Sequence, residues 1–116
     1  IQLAGGESVV YCKEIKYPII KTIKINECDM IHSYSSAVCM FVIDSVNPGS
    51  GSTYDYSQII QIKINKPFLI AGGVDEESVL PILSKVPSAC GIDVASGIET
   101  DGVVDMSKIN NIIKKL

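Results

Sequence analysis

Short apolar runs recur along this chain, beginning near residues 1, 19, 39, 67 and 91, and the 18 to 28 positions from one start to the next leave room for a single helix between runs. That rhythm belongs to β-α units built around a parallel sheet. The strands it predicts are Ile1–Leu3, Ile19–Ile23, Cys39–Ile43, Phe68–Ala71 and Gly91–Val94. Several are apolar at consecutive positions, as expected of strands covered on both faces.

The intervening segments carry helical signals of unequal strength. Ile109, Ile112, Ile113 and Leu116 fall at i, i+3, i+4 and i+7, with Asp105 placed to cap and Lys114 and Lys115 near the carboxyl end. Asp75-Glu76-Glu77 opens a second helix through Val79, Leu80, Ile82 and Leu83, in which Pro81 should introduce a kink or shorten the hydrogen-bond ladder. Segments 8–16 and 56–63 are weaker helical candidates, and 26–36 is ambiguous. No low-complexity tract or linker divides the chain, so residues 1–116 read as a single domain.

At 12.5 kDa and 47% hydrophobic residues the chain can build a sizeable core. Its net charge is −3, and its ten basic residues are lysines scattered from Lys13 to Lys115, with no arginine. A nucleic-acid partner is not expected from that pattern. The longest apolar runs, such as Ala37–Ile43, are too short to cross a bilayer, and no charged leader precedes an apolar segment, so the expectation is a soluble protein with no membrane partner. Cys12, Cys28, Cys39 and Cys90 show no paired spacing, and His32 is the sole histidine. A structural metal would want closely spaced ligand pairs; reduced, mostly buried cysteines in a cytoplasmic protein are the simpler reading. The first residue is Ile1, already inside a predicted strand, and the chain looks cut there.

Polar and glycine residues gather just past the carboxyl ends of the predicted strands: Gly5-Gly6, Asp44, Ala71-Gly72-Gly73 and Ala95-Ser96-Gly97. In parallel β/α folds that edge is where ligands bind. In PFLIAGGVDEES, two glycines between strand and helix let the backbone approach an anion closely, and GIDVASGIE repeats the logic with a hydroxyl. A single Gly-Gly turn reads most simply as a tight turn. Two such turns after the last two strands point to a phosphate, held largely by backbone amides because arginine is missing.

These stretches carry a family resemblance. IQL-x-G-x-E at 1–7, FVIDSVNPGSGSTYDYS at 41–57, KPFLIAGGVDEESV at 66–79 and GIDVASGIETDGVVDMSKINNII at 91–113 together resemble the second half of phosphoribosylanthranilate isomerase. The resemblance implies an α/β fold, a (β/α)8 TIM barrel of which this chain carries about the last five β/α units. It also implies an Amadori rearrangement of a small phosphosugar, N-(5-phosphoribosyl)anthranilate, in tryptophan biosynthesis, with no metal and no cofactor. By the same matching, Asp44 is the general acid that protonates the furanose ring oxygen. Such a carboxyl must hold a proton near neutral pH, which the apolar Phe41-Val42-Ile43 setting favours. The loop Asn47–Tyr56 would close over the substrate. Gly72, Gly73, Ser96 and Gly97 would hold the phosphate, while Gln2 and Asp93 would line the pocket, Asp93 facing a ribose hydroxyl.

The resemblance also marks departures. The family's general base, a cysteine ending the first strand, and its arginine after the second strand have no counterpart here. Ala4 stands where histidine is usual, and Gly51-Ser52 where Gly-Lys or Gly-Arg is usual. A half barrel leaves strand edges open and one sheet face uncovered, so a missing amino-terminal half or a homo-oligomer is the expected partner. Two other readings stand beside the isomerase: another phosphosugar-handling barrel enzyme, such as an indole-glycerol-phosphate synthase or ribulose-phosphate epimerase relative, and a non-catalytic phosphate-binding half-barrel module.

Overall fold

The computed structural model describes residues 1–44 and 57–116; the expected closing loop, Asn47–Tyr56, lies outside them. Five parallel strands pair in sequence order: β1 (Gln2–Leu3), β2 (Ile20–Lys24), β3 (Met40–Asp44), β4 (Phe68–Ile70) and β5 (Gly91–Ile92). Between them run α1 (Val9–Glu14), α2 (Ile31–Tyr34) preceded by a 3-10 segment, α3 (Ser57–Gln61) and α4 (Val79–Lys85). Strand order equals chain order because each short crossover returns the chain beside the strand it has just left.

The register separates two faces. Ile19, just ahead of β2, and Ile23 within it, Phe41 and Ile43 of β3, and Phe68 and Ile70 of β4 point to one side, where they pack with Cys12, Ile31, Val79, Ile82 and Ile112 into the core. Gln2, Ile20, Thr22, Met40 and Leu69 fall on the opposite face, and none of these is buried. Val42, at the middle of that face in β3, is buried. The apolar runs therefore report two-sided strands, yet within this chain only one side is fully covered.

A charge sits on the covered side. Lys21 is 2% exposed, and its ammonium donates to the Gly5 carbonyl at 2.6 Å and to Glu7 Oε2 at 2.9 Å, 5.8 Å from the Tyr34 ring centroid. Tyr34 in turn donates its hydroxyl to the Glu7 carbonyl at 2.8 Å. A buried ammonium is tolerable because acceptors meet it, and the cluster staples the turn after β1 to β2.

The carboxyl-terminal helix α5 (Met106–Lys115) forms as its periodicity predicts, with the Asp105 carboxylate accepting from the Ser107 N–H at 2.8 Å. Two features differ from the sequence expectation. Helix α4 starts at Val79, not at the acidic triplet, which puts Pro81 in the first turn, where no intrahelical N–H bond is lost and no kink is required. Between β5 and α5 lies an antiparallel hairpin, β6 (Glu99–Thr100) and β7 (Val103–Val104), turned by Asp101 and Gly102 at φ 53° and 76°. Asp-Gly at the two central positions is what a turn with two positive φ values demands.

Candidate functional site

Asp44, Ala71, Gly72, Gly73, Val74, Asp93, Ala95 and Ser96 line one cleft of about 220 Å³ at the carboxyl edge of the sheet. Its floor follows from the ladder. Ala71 N donates to the Ile43 carbonyl and Asp93 N to the Ile70 carbonyl, each at 2.8 Å, so the chain stays in register past the ends of β4 and β5. Asp44, ending β3, stands next to the exit of β4 and shares the cleft with the residues past β5.

The Gly72-Gly73 turn takes φ values of 81° and 65°, a left-handed pair that a side chain would strain. Beyond it Asp75 secures its own turn. Its Oδ1 accepts from Ser78 Oγ at 2.7 Å, from Ser78 N at 2.8 Å and from Glu77 N at 3.0 Å, and Ser78 Oγ accepts from Asp75 N at 2.9 Å. The Ser78 hydroxyl foremost, with those amides, holds the Asp75 carboxyl below the usual carboxylate range. The acidic triplet is thus consumed by the turn. Helix α5 braces it from behind, Asn111 Nδ2 donating to Glu76 Oε2 at 2.9 Å and Lys115 Nζ to the Glu76 carbonyl at 2.7 Å.

The opposite wall is the 3-10 turn Ser96–Ile98. A Cβ at Gly97 would stand 1.9 Å from the Val74 carbonyl oxygen and 2.9 Å from its carbon, so only glycine lets the turns after β4 and β5 touch. Gly97 therefore sets the spacing between the two glycine turns.

Of the seven site residues expected from sequence, Asp44, Gly72, Gly73, Asp93 and Ser96 line the cleft, and Gly97 supports it from behind. Gln2 is not brought to it. It lies on β1, two strands from β3, where its Nε2 donates to Thr22 Oγ1 at 3.4 Å. Val74 is a wall residue that sequence reasoning passed over, since an apolar residue after a glycine turn carries no chemical signal.

Among the described residues lining the cleft none is basic, and two carry carboxylates. An anion entering the cleft must meet backbone N–H groups, and the chemistry available is proton transfer and hydroxyl recognition by carboxyl groups. Cys28 offers no nucleophile, because burial, aided by Asp29, pushes its thiol up to about 11. Among the described residues no group of three or more His, Cys, Asp or Glu side chains could hold a metal ion.

The profile of a family described as N-(5'phosphoribosyl)anthranilate (PRA) isomerase matches residues 1–115. The isomerase of that name from Dehalococcoides mccartyi is 32% identical over 130 residues, covering 100% of this chain and 59% of that protein. Among solved structures, phosphoribosyl anthranilate isomerase from Thermotoga maritima is 27% identical with a TM-score of 0.84, over 97% of this chain and 58% of that one. Another, in complex with reduced 1-(o-carboxyphenylamino)-1-deoxyribulose 5-phosphate, is 23% identical with a TM-score of 0.80, over 97% of this chain and 56% of that one. The chain spans a little under three-fifths of the length of the curated relatives it matches. With the family profile running along nearly its whole length, the chain belongs to the N-(5'-phosphoribosyl)anthranilate isomerase family.

Proposed function

We propose that this chain is the carboxyl-terminal part of a phosphoribosylanthranilate isomerase, an aldose-ketose isomerase of tryptophan biosynthesis. It would contribute about five of the eight β/α units of a TIM barrel. The observation that carries this reading is the convergence of one strand-end carboxyl, Asp44, with two glycine turns in a single cleft. Open outer strands and a half-exposed sheet face are what the remaining strands of a barrel would cover.

The substrate phosphate sits against the amides of Gly72, Gly73, Ser96 and Gly97, and Asp93 accepts a hydrogen bond from a ribose hydroxyl. Asp44 gives its proton to the furanose ring oxygen as the C1–O bond breaks. The anthranilate nitrogen supplies its lone pair, and a C1=N Schiff base forms. A base then removes the proton from C2, and the enolamine tautomerises to 1-(2-carboxyphenylamino)-1-deoxyribulose 5-phosphate. By the family pattern that base comes from the amino-terminal strands, so residues 1–116 alone bind but do not turn over. No cofactor takes part. Among the described residues no helix is long and apolar enough to cross a membrane, and we place the protein in the cytoplasm.

The test is turnover of N-(5-phosphoribosyl)anthranilate by the protein as the cell makes it. Wild type should be active, and Asp44→Asn should lose a factor of about 10²–10⁴, the usual share of one general acid. Wild-type protein that binds the phosphosugar but never isomerises it would select the non-catalytic reading instead.

A further inference from the structure

Helix α5 is tied to both glycine turns of the cleft. Its amino-terminal end holds the segment that leaves the Ser96–Ile98 turn: Asp105 N donates to the Ile98 carbonyl at 2.7 Å, Thr100 Oγ1 donates to Asp105 Oδ2 at 2.9 Å, and Lys108 Nζ donates to the Glu99 carbonyl. Further along, Asn111 Nδ2 donates to Glu76 Oε2 at 2.9 Å and Lys115 Nζ to the Glu76 carbonyl at 2.7 Å. Lys108, Asn111, Ile112 and Lys115 fall at i, i+3, i+4 and i+7, so the face that makes these side-chain bonds is the one fixed in place by Ile112, 4% exposed in the core.

Glu76 passes that hold on to the cradle. It follows Asp75 in the turn where Asp75 Oδ1 gathers the Glu77 and Ser78 amides, and Ser78 Oγ lies 3.5 Å from the Gly73 carbonyl oxygen. A shift of Glu76 therefore reaches the Gly73 peptide. On its other side Val74 already touches Gly97, so the turns have no slack between them. About 9 Å of helix rise separates Asp105 from Asn111, and a hydrogen-bonded helix does not stretch. The helix is thus a fixed spacer, clamped to one turn by Asp105 and Lys108 and to the other by Asn111 and Lys115. With no basic side chain among the described lining residues, recognition of an anion depends on how well backbone amides from the two turns stay aimed at one point, and a hydrogen bond weakens steeply once misaligned.

Resting on the function proposed above, we propose that Asn111 is a positioning residue for phosphate recognition. By holding the Glu76 carboxylate it fixes the Gly72-Gly73 turn against the Ser96-Gly97 turn, and it acts on the phosphate only through that spacing.

The test is calorimetric binding of two probes to the protein as the cell makes it: reduced 1-(o-carboxyphenylamino)-1-deoxyribulose 5-phosphate and the same compound without its phosphate. Wild type should favour the phosphorylated probe by at least about tenfold, the scale of one charge-assisted hydrogen bond. Asn111→Leu and Glu76→Ala should each cut that preference by about three- to tenfold while leaving the affinity for the other probe unchanged; the Lys115 bond to the main chain remains and limits the loss. Because the two side chains act as one contact, the double variant should lose no more than either single one. Glu76→Gln, which keeps an oxygen for Asn111 to donate to, should retain most of the preference. A preference that survives in both Asn111→Leu and Glu76→Ala overturns the assignment, as does an equal loss for both probes, which would mark a purely structural pair. Losses that add in the double variant also overturn it. Wild type that binds the two probes equally, or binds neither, defeats the functional reading and this assignment with it.

Discussion

Replacing Gly97 with alanine should damage stability and anion binding together, because this one glycine lets two turns share a wall. The added Cβ would lie 1.9 Å from the Val74 carbonyl oxygen, whereas ordinary contact begins at 3.4 Å, so the turns must part by about 1.5 Å. Val74 cannot simply yield. It is 2% exposed, held on one side by the left-handed Gly72-Gly73 pair and on the other by the Asp75–Ser78 bonds. Overpacking of this kind costs about 1–3 kcal/mol, or roughly 5–15 °C in Tm for a domain of this size. The same displacement pulls the Ser96-Gly97 amides away from Gly72-Gly73, and losing one well-aimed bond to a charged ligand weakens binding by about tenfold or more. Thermal melting and calorimetry with ribulose 5-phosphate read the two effects. Gly6→Ala is the control, since nothing lies within 4 Å of a Cβ there. A Gly97→Ala protein that melts and binds like wild type would refute the shared-wall argument. One that melts lower yet binds normally would break the link between packing and cradle.

Other outcomes follow from the charged and exposed groups. Glu7→Gln should lower Tm by several degrees and by more than Lys21→Met, since the first leaves a buried ammonium facing a weaker acceptor while the second removes the charge itself; equal melting of the two would contradict this. Glu7, Asp75 and Asp105 are all held below the ordinary carboxylate range, respectively by Lys21, by Ser78 and by the Ser107 N–H. Their contribution is therefore full above the unfolded carboxylate values near 4 and is lost as pH falls through the depressed folded values. Tm should accordingly stay level from about pH 7 to 5 and drop below about pH 4, and a Tm that rises on acidification would reverse the sign. Residues 1–116 alone, with Ile1, Val103 and Leu116 each more than half exposed and two open strand edges, should run larger than 12.5 kDa at micromolar concentration, whereas a sharp monomer peak with cooperative melting would argue against it.

Much of the sheet was legible because it is written in consecutive branched residues. Ile19–Ile23 and Cys39–Ile43 were expected one residue ahead of the observed Ile20–Lys24 and Met40–Asp44, and the clustering of polar and glycine residues after strands located the cleft. What escaped depends on partners far apart in sequence. Lys21 reads as the polar half of an alternating strand, and only the fold brings Glu7, fourteen residues away, beneath it. Gln2 was expected at the pocket by resemblance alone, and β1 lies two strands from β3 and its Asp44 within this chain. The Asp101-Gly102 hairpin was a local signal and could have been read, since Asp-Gly between short β-forming pairs is a strong hairpin cue. Gly97 looked like a phosphate ligand, and its close approach to Val74 emerges only when the turns after β4 and β5 are set side by side.

The most direct measurement is a crystal structure of the protein as the cell makes it, bound to reduced 1-(o-carboxyphenylamino)-1-deoxyribulose 5-phosphate. The account predicts the phosphate within hydrogen-bond distance of the backbone amides at Gly72, Gly73, Ser96 and Gly97, and the Asp44 carboxyl against the hydroxyl derived from the ring oxygen. A phosphate seated elsewhere, or Asp44 out of reach of that hydroxyl, would contradict it.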